Sequence, residues 1–181
     1  HLSRMFEEKY RIPLQPPKSY LQYSAIAQFF TRAQTPSSPV EYGHAMAISY
    51  TEQLMCSFLP RLWSFKGDLF DKAGAPSLTS PASRKAVKNL MECVQYAHPD
   101  MMQDRPTDAI EKFTSGRVAM LSTFFNYVTN VSDRYKSSVF GKVGYSSIAG
   151  GAPVMAGWCF GVGKHSRNAD EAFRFIKWAC C

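Results

Sequence analysis

No stretch of these 181 residues holds the about 20 consecutive apolar side chains that a bilayer-spanning helix needs. Metal-ligand spacing is missing too. The five cysteines stand at 56, 93, 159, 180 and 181, none as C-x-x-C, and their odd number argues against a complete disulfide framework. Four histidines, at 1, 44, 98 and 165, are isolated from one another, so no metal site is expected. There is no G-x-S-x-G, no H-E-x-x-H, no phosphate loop and no G-x-G-x-x-G after a strand. Phe160-Gly161-Val162-Gly163 has two such glycines but runs into a Lys-His-Ser turn. Cys159 and His165 are close in sequence, yet a strand and then a turn hold them apart, which leaves a Cys–His dyad unsupported. Neither catalysis nor a cofactor is expected.

Acidic residues are the scarcer charge, 14 against 21 Lys and Arg, for a net charge of +7. The basic residues are scattered singly, as at Arg61, Lys66, Lys72, Arg117, Lys142 and Arg174, so no nucleic-acid footprint is expected. A mild attraction for anionic ligands or anionic membrane surfaces follows from the excess. No charged-then-apolar leader opens the chain at His1, and a signal peptide is expected outside these residues. Asn130-Val131-Ser132 matches a glycosylation sequon, a triplet common by chance.

What is present suits one ordered domain with a real core: 45% hydrophobic residues and 19% charged. "LSRMFEEKY" sets Leu2, Met5, Phe6 and Tyr10 on one helical face. After a proline-rich turn, Ser19 caps a helix with Gln22 at the box position and a stripe of Ala25, Ile26, Phe29 and Phe30. "YGHAMAIS" reads as a buried strand, followed by a helix from about Thr51 that Pro60 is expected to bend partway. "GDLFDKAGAPSLTS" suggests a small hairpin, and Ser80-Pro81 a cap and first-turn proline for a long helix. A helix holding Ala109, Ile110 and Phe113 stops at Gly116, and the strand Val118–Leu121 follows. "STFFNYVTNVSDRY" reads as another helix and "GKVGYSSIA" as a strand. The last strand is expected at Cys159–Gly163, covered on both faces, with Cys56, Cys93 and Cys159 as buried free thiols. Asn168 and Glu171 then open a helix whose apolar side (Ala172, Phe173, Ile176, Ala179, Cys180) is still running at the last residues. Strands and helices alternate, which predicts an α/β fold, a mixed and mostly parallel sheet with helices on both faces.

The order of these signals carries a resemblance. Pro-Pro-x-Ser-aromatic starts a helix, then come a "YG" strand, "GDLFD", a Ser-Pro helix start and "F-x-x-G-x-V-A-M". "GKVGYSSIAGG", "GW-x-F-G-V" and "K-x-S-x-N-x-x-E-A-x-x-F-I-K-W" complete the series. From about residue 2 to 181 the chain resembles the extracellular solute-binding proteins of family 1 that serve ABC importers, the group that includes maltose-binding protein. The resemblance implies a two-lobed periplasmic-binding fold. Residues 1–155 would be most of the C-terminal lobe, and 156–181 a hinge-crossing strand and helix belonging to the other lobe. It also implies a periplasmic or extracellular protein that captures a solute, closes on it and delivers it to membrane permease subunits. A ligand-sensing receptor domain of the same lobe fold is the alternative.

In open α/β sheets ligands sit beyond the carboxyl ends of the strands. Those ends carry Ser49, Tyr50, Thr51 and Glu52 after "AMAI", and Ser122, Thr123, Phe124, Phe125, Asn126 and Tyr127 after "VAML". Gly157 and Trp158 stand at the last strand. Flat aromatics suit the C–H faces of a sugar, and amides, hydroxyls and carboxylates suit its hydroxyl rim. The expected ligand contacts are therefore Trp158, Gly157, Phe124, Phe125, Asn126, Tyr50 and Glu52. Each has a plainer reading beside it. One of Phe124 and Phe125 is expected in the core, Tyr50 could cap a sheet edge, and Glu52 could serve only its helix N-terminus. The apolar side of the last helix is expected either to dock on its own sheet or to pack on a second copy, forming a dimer by exchange of residues 157–181.

Overall fold

The computed structural model describes residues 1–155, 157 and 159–180. Its centre is a pair of parallel strands, β1 (Tyr42–Ala45) and β2 (Val118–Leu121), with Tyr42 opposite Val118, His44 opposite Met120 and Ala45 opposite Leu121. The other edge of β1 is occupied by residues 96 and 97: the Gly43 N–H donates to the Tyr96 carbonyl at 3.0 Å, and His44 bridges Ala97. Such a parallel pair needs crossover helices, and the chain supplies them. The helices are α1 (Leu2–Tyr10), α2 (Tyr20–Phe30), α3 (Thr51–Ser64), α4 (Pro81–Val94), α5 (Pro106–Thr114), α6 (Val128–Val131) and α7 (Ala169–Cys180).

Local chemistry sets several helix ends. Ser19 Oγ accepts the Gln22 N–H at 3.2 Å, and the Gln22 side chain returns to the Lys18 N–H, one residue earlier than a standard box. Ser80 Oγ accepts the Ser83 N–H at 3.2 Å, with Pro81 in the first turn. After α5, Gly116 takes φ 78°, its N–H donates to Phe113 O and the Arg117 N–H to Lys112 O. Those paired bonds form a Schellman stop that turns the chain straight into β2.

Packing follows the apolar stripes. Phe29, Phe30 and Ile26 of α2 pack with Leu2, Met5 and Phe6 of α1 and with Ala119 and Met120 of β2. Ala109 and Phe113 of α5 pack with Ala45, Val118 and Leu121. Helix α2 is buried on a wider face than the expected stripe: Tyr23, Ser24 and Ala27 are enclosed, and Ala25 is exposed. The reason is that α2 lies between β1 and α4, with Ser24 Oγ 3.0 Å from Cys93 Sγ and 2.9 Å from Asn89 Nδ2. Beside that contact Arg61 is only 4% exposed. Its guanidinium donates to Ser57 O at 2.5 Å and Asn89 Oδ1 at 3.2 Å, and it sits 4.4 Å over the Tyr20 ring. A buried cation is thus satisfied by carbonyls and a π face.

Several expectations are corrected. Residues 143–148 and 159–163 run outside any helix or strand and form no ladder among the described residues. Cys159 and Phe160 are exposed, not covered on both faces. An apolar run becomes a strand only where a neighbouring strand takes its backbone groups, and among the described residues none is alongside. The helix expected at 122–135 shrinks to a 3₁₀ turn, Phe125–Tyr127, and the four-residue α6. Val128, Thr129 and Val131 are β-branched, and the Asp133 carboxylate captures the Tyr135 N–H at 2.8 Å. The hairpin at 68–79 is reduced to one bridge, Phe70–Pro76, because Pro76 has no N–H and the Asp71 carboxylate takes the Ala73 and Ala75 N–H groups.

Arg117 donates to Glu41 Oε2 through Nη2 at 2.8 Å and Nε at 3.2 Å, clipping the starts of the two strands together. Both side chains are roughly half exposed, at 47% and 40%. The guanidinium holds the Glu41 carboxyl below its ordinary range, but solvent screens such a pair. Glu41→Gln is expected to cost under about 1 kcal/mol in urea unfolding, despite the good geometry.

Candidate functional site at the strand carboxyl ends

Because β1 and β2 are adjacent and parallel, with Ala45 opposite Leu121, the segments after them leave the sheet at the same end. That single fact places 46–52 and 122–126 at the same end of the sheet. Tyr50 stands at the N-cap of α3 in extended conformation, φ −116° and ψ 150°, and its carbonyl accepts the Leu54 N–H at 3.0 Å. Tyr50 is 56% exposed. Glu52 lies exposed in the first turn of α3, where the helix dipole favours a carboxylate. One turn along, burial and then the Glu52 charge push the Cys56 thiol above its ordinary range.

On the second segment Phe124 caps the 3₁₀ turn with φ −70° and ψ 148°. Phe124 is 37% exposed and Phe125 86% exposed, so neither is the core residue that one of them was expected to be. A tight 3₁₀ turn in place of a helix has no buried face of its own, and it presents both rings outward. Asn126, Ser122 and Thr123 are exposed beside them. The structure therefore groups Tyr50, Glu52, Phe124, Phe125 and Asn126 at one end of the sheet. Gly157 is exposed with open space around it, and the expected contact at Trp158 lies outside the described residues.

Tyr145 was not anticipated. It is 59% exposed, and its hydroxyl lies 3.1 Å from Ser132 Oγ, at the end of the helix that follows the Phe125 turn. A lone aromatic among small polar residues, "GYSS", was the only signal for it. A groove of about 690 Å³ opens elsewhere, between α1, α2 and the 34–37 turn, lined by Met5, Tyr10 and Phe29 among others. The 31–41 loop behind it feeds the amino end of β1, so this groove is not made by the strand-end residues. Among the described residues no cluster of His, Cys, Asp and Glu could hold a metal ion. Nor is any of their helices long and apolar enough to cross a membrane.

The model of the family described as bacterial extracellular solute-binding protein matches residues 3–180. A "Probable amino-acid ABC transporter periplasmic-binding protein" of Sinorhizobium fredii is 28% identical over 142 residues, 76% of this chain and 32% of that protein. A "Probable ABC transporter-binding protein" of Deinococcus radiodurans is 22% identical over 170 residues, 90% of this chain and 40% of that one. Among solved structures, maltose-bound MalE3 of T. maritima superposes with a TM-score of 0.79 at 23% identity, covering 99% of this chain and 46% of the other. An ABC transporter solute-binding protein of Agrobacterium radiobacter, in complex with ribitol, gives 0.76 at 23% identity, covering 97% and 44%. One from Agrobacterium vitis with bound D-mannitol gives 0.69 at 17%, covering 98% and 43%. The chain spans less than half the length of each of these proteins. With the α/β lobe, its parallel strand ends and a family match over nearly every residue, the chain belongs to the bacterial extracellular solute-binding proteins.

Proposed function

We propose that this chain forms one wall of a solute-binding cleft in a longer protein, the capture component of an ABC importer outside the cytoplasmic membrane. The solute is a sugar or sugar alcohol, handed on to membrane permease subunits. The observation that carries this is the grouping of three exposed aromatic rings, Tyr50, Phe124 and Phe125, with Asn126 and Glu52 at the carboxyl end of two parallel strands. Rings for C–H faces and amide and carboxylate groups for hydroxyls are the chemistry a polyol needs. The ligands of the solved relatives, maltose, ribitol and D-mannitol, are of that class. The name of the Sinorhizobium relative supports a second reading, an amino-acid ligand.

In the same proposal, residues 1–155 make this lobe and 156–181 cross toward the remainder of the protein. Helix α7 buries none of its described side chains, with Phe173 63%, Phe175 56% and Trp178 77% exposed. Phe160 and Phe175 meet edge to face at 6.4 Å, so the segment keeps a small aromatic cluster of its own. It does not dock on its own sheet, contrary to one expectation. Another lobe covering that face fits the length difference; a second copy exchanging 157–181 is the other cover.

The test is a set of ring deletions in the complete protein, Trp158→Ala, Phe124→Ala and Tyr50→Ala, titrated calorimetrically with the solute it binds. Loss of one stacked ring is worth about 1–2 kcal/mol, roughly a tenfold weaker dissociation constant. Unchanged affinity in all three variants, with the lobe folded, would remove the strand ends from the site.

A further inference from the structure

The segment that carries Tyr50 and Glu52 to the cleft is not held by the sheet, since β1 ends at Ala45. It is held from the side. The Ile48 N–H donates to Met101 O at 2.9 Å, and Ser49 Oγ donates to Asp104 O at 2.5 Å. Met46 and Ile48 pack with Leu90, Ala97 and Met101. The position of the strand end therefore depends on the 97–104 segment, which contains one 3₁₀ turn, Pro99–Met102, and little other regular structure.

That segment is pinned by charge. The Asp104 carboxylate is bonded by His98 Nε2, which closes the segment on itself, and by Lys112 Nζ at 2.5 Å, which anchors it to α5. His98 is 1% exposed, and the Asp104 and Lys112 side chains are 8% and 14% exposed. Lys112 also lies 3.7 Å from the more exposed Asp100. The far nitrogen of His98, Nδ1, is buried with no hydrogen-bond partner among the described residues. Neutral His98 donates through Nε2–H and leaves only a lone pair unused. Protonated His98 would bury an unpaired N–H donor and add a second cation to a carboxylate already neutralised by Lys112. Of the other charged groups, Asp100 adds negative charge near His98, whereas His44, itself beside Arg61, adds none. Burial accordingly holds His98 below its ordinary range.

We propose that Asp104, gripped by His98 and Lys112, is the positioning residue for the strand end bearing Tyr50 and Glu52, and that acid loosens this grip and weakens solute binding. The binding half of this inference rests on the strand-end reading of the site; the positioning half does not.

Native-state hydrogen exchange on this chain tests the positioning half. Protection of the Ile48 amide is compared with that of Phe30 in α2. Lys112→Met and Asp104→Asn are expected to lower Ile48 protection about tenfold relative to Phe30, because the 97–104 segment then opens locally. Lys112→Arg, which keeps the charge, is expected to stay within about twofold of wild type. In the wild type the Ile48 to Phe30 ratio falls from pH 7 to pH 5, and His98→Gln, which keeps a donor for Asp104 but cannot titrate, removes that dependence. Equal changes at both amides, or none at Ile48 in the milder Lys112→Met, would overturn the proposal. Calorimetry on the complete protein with maltose, ribitol and D-mannitol supplies the second arm. A weaker dissociation constant in Lys112→Met, restored in Lys112→Arg, supports positioning. Unchanged affinity refutes it. Altered exchange with no binding of any of the three solutes leaves the grip standing and counts against the polyol reading instead.

Discussion

The Gly43→Ala variant is expected to lose at least about 3 kcal/mol of stability and to accumulate poorly. A Cβ at position 43 would stand 1.9 Å from the Ala27 carbonyl oxygen, 2.4 Å from its carbon and 2.5 Å from Ala27 Cα. Those are backbone atoms in the middle of α2, so no side chain can swing aside. Relief requires lifting α2 off β1, and Phe29, Phe30 and Ile26 pack on the sheet from that same helix. Overpacking of a core ordinarily costs about 1–3 kcal/mol, and a clash with rigid backbone belongs at or above the top of that range. Gly144→Ala is the control, since a Cβ there meets nothing within 4 Å; it should stay within about 0.5 kcal/mol of wild type. Urea midpoints that fall equally, or not at all, would mean that α2 does not sit on β1 as described.

Gly43 also marks where the sequence could and could not be read. "YG" at a strand start was visible, but nothing local shows that a helix backbone lies against it. The features read correctly were those set by neighbours in sequence: the Ser19 and Ser80 caps, the Gly116 stop, the helix through Pro60. Misreadings came where structure depends on a distant partner. Residues 143–148 and 159–163 have the composition of strands and lack the ladder. Ala25 has helical spacing yet faces outward, because α4 and β1 together enclose the side bearing Tyr23, Ser24 and Ala27. For the site, alternation of strand and helix was enough to foresee that Tyr50, Glu52, Phe124, Phe125 and Asn126 would share one end of the sheet. The outward turn of both phenylalanines was not foreseeable from a pattern that suits a helix equally well. Tyr145 comes to Ser132 only through a loop with no periodicity to read.

Acid is expected to destabilise this lobe well before its carboxylates titrate. His44 is 1% exposed in β1, its Nε2 bonded to the Cys93 carbonyl at 2.8 Å and its ring 5.5 Å from that of Tyr23. Burial first, then the charges of Arg61 and His98, push its pKa down from 6.5 to about 4. The unfolded chain binds this proton more readily than the folded one between those limits. Stability therefore rises with pH across that window, and as pH falls below 6.5 it is progressively lost until about pH 4. The gap corresponds to about 3 kcal/mol, an order-of-magnitude figure for a fully buried ring. His98, also held below its ordinary range, acts in the same direction. Glu41 and Asp108, whose carboxyls are lowered by Arg117 and by the Arg105 backbone N–H, lose their contribution only at more acid pH. Urea unfolding at pH 7, 6, 5 and 4 should show a steady decline, with a smaller slope in His44→Gln. A flat profile down to pH 4 would show that His44 is not a buried neutral ring.

On the proposed function, the paired strand ends recognise a polyol. The most direct measurement is a calorimetric panel on the complete wild-type protein, setting maltose, ribitol and D-mannitol against a set of free amino acids. Saturable binding of a sugar or sugar alcohol at one site, with no competing amino acid, is the expected result. Tight binding of an amino acid, with none of any sugar or sugar alcohol, would contradict it and assign the aromatic and amide groups at Tyr50, Phe124 and Asn126 to another ligand.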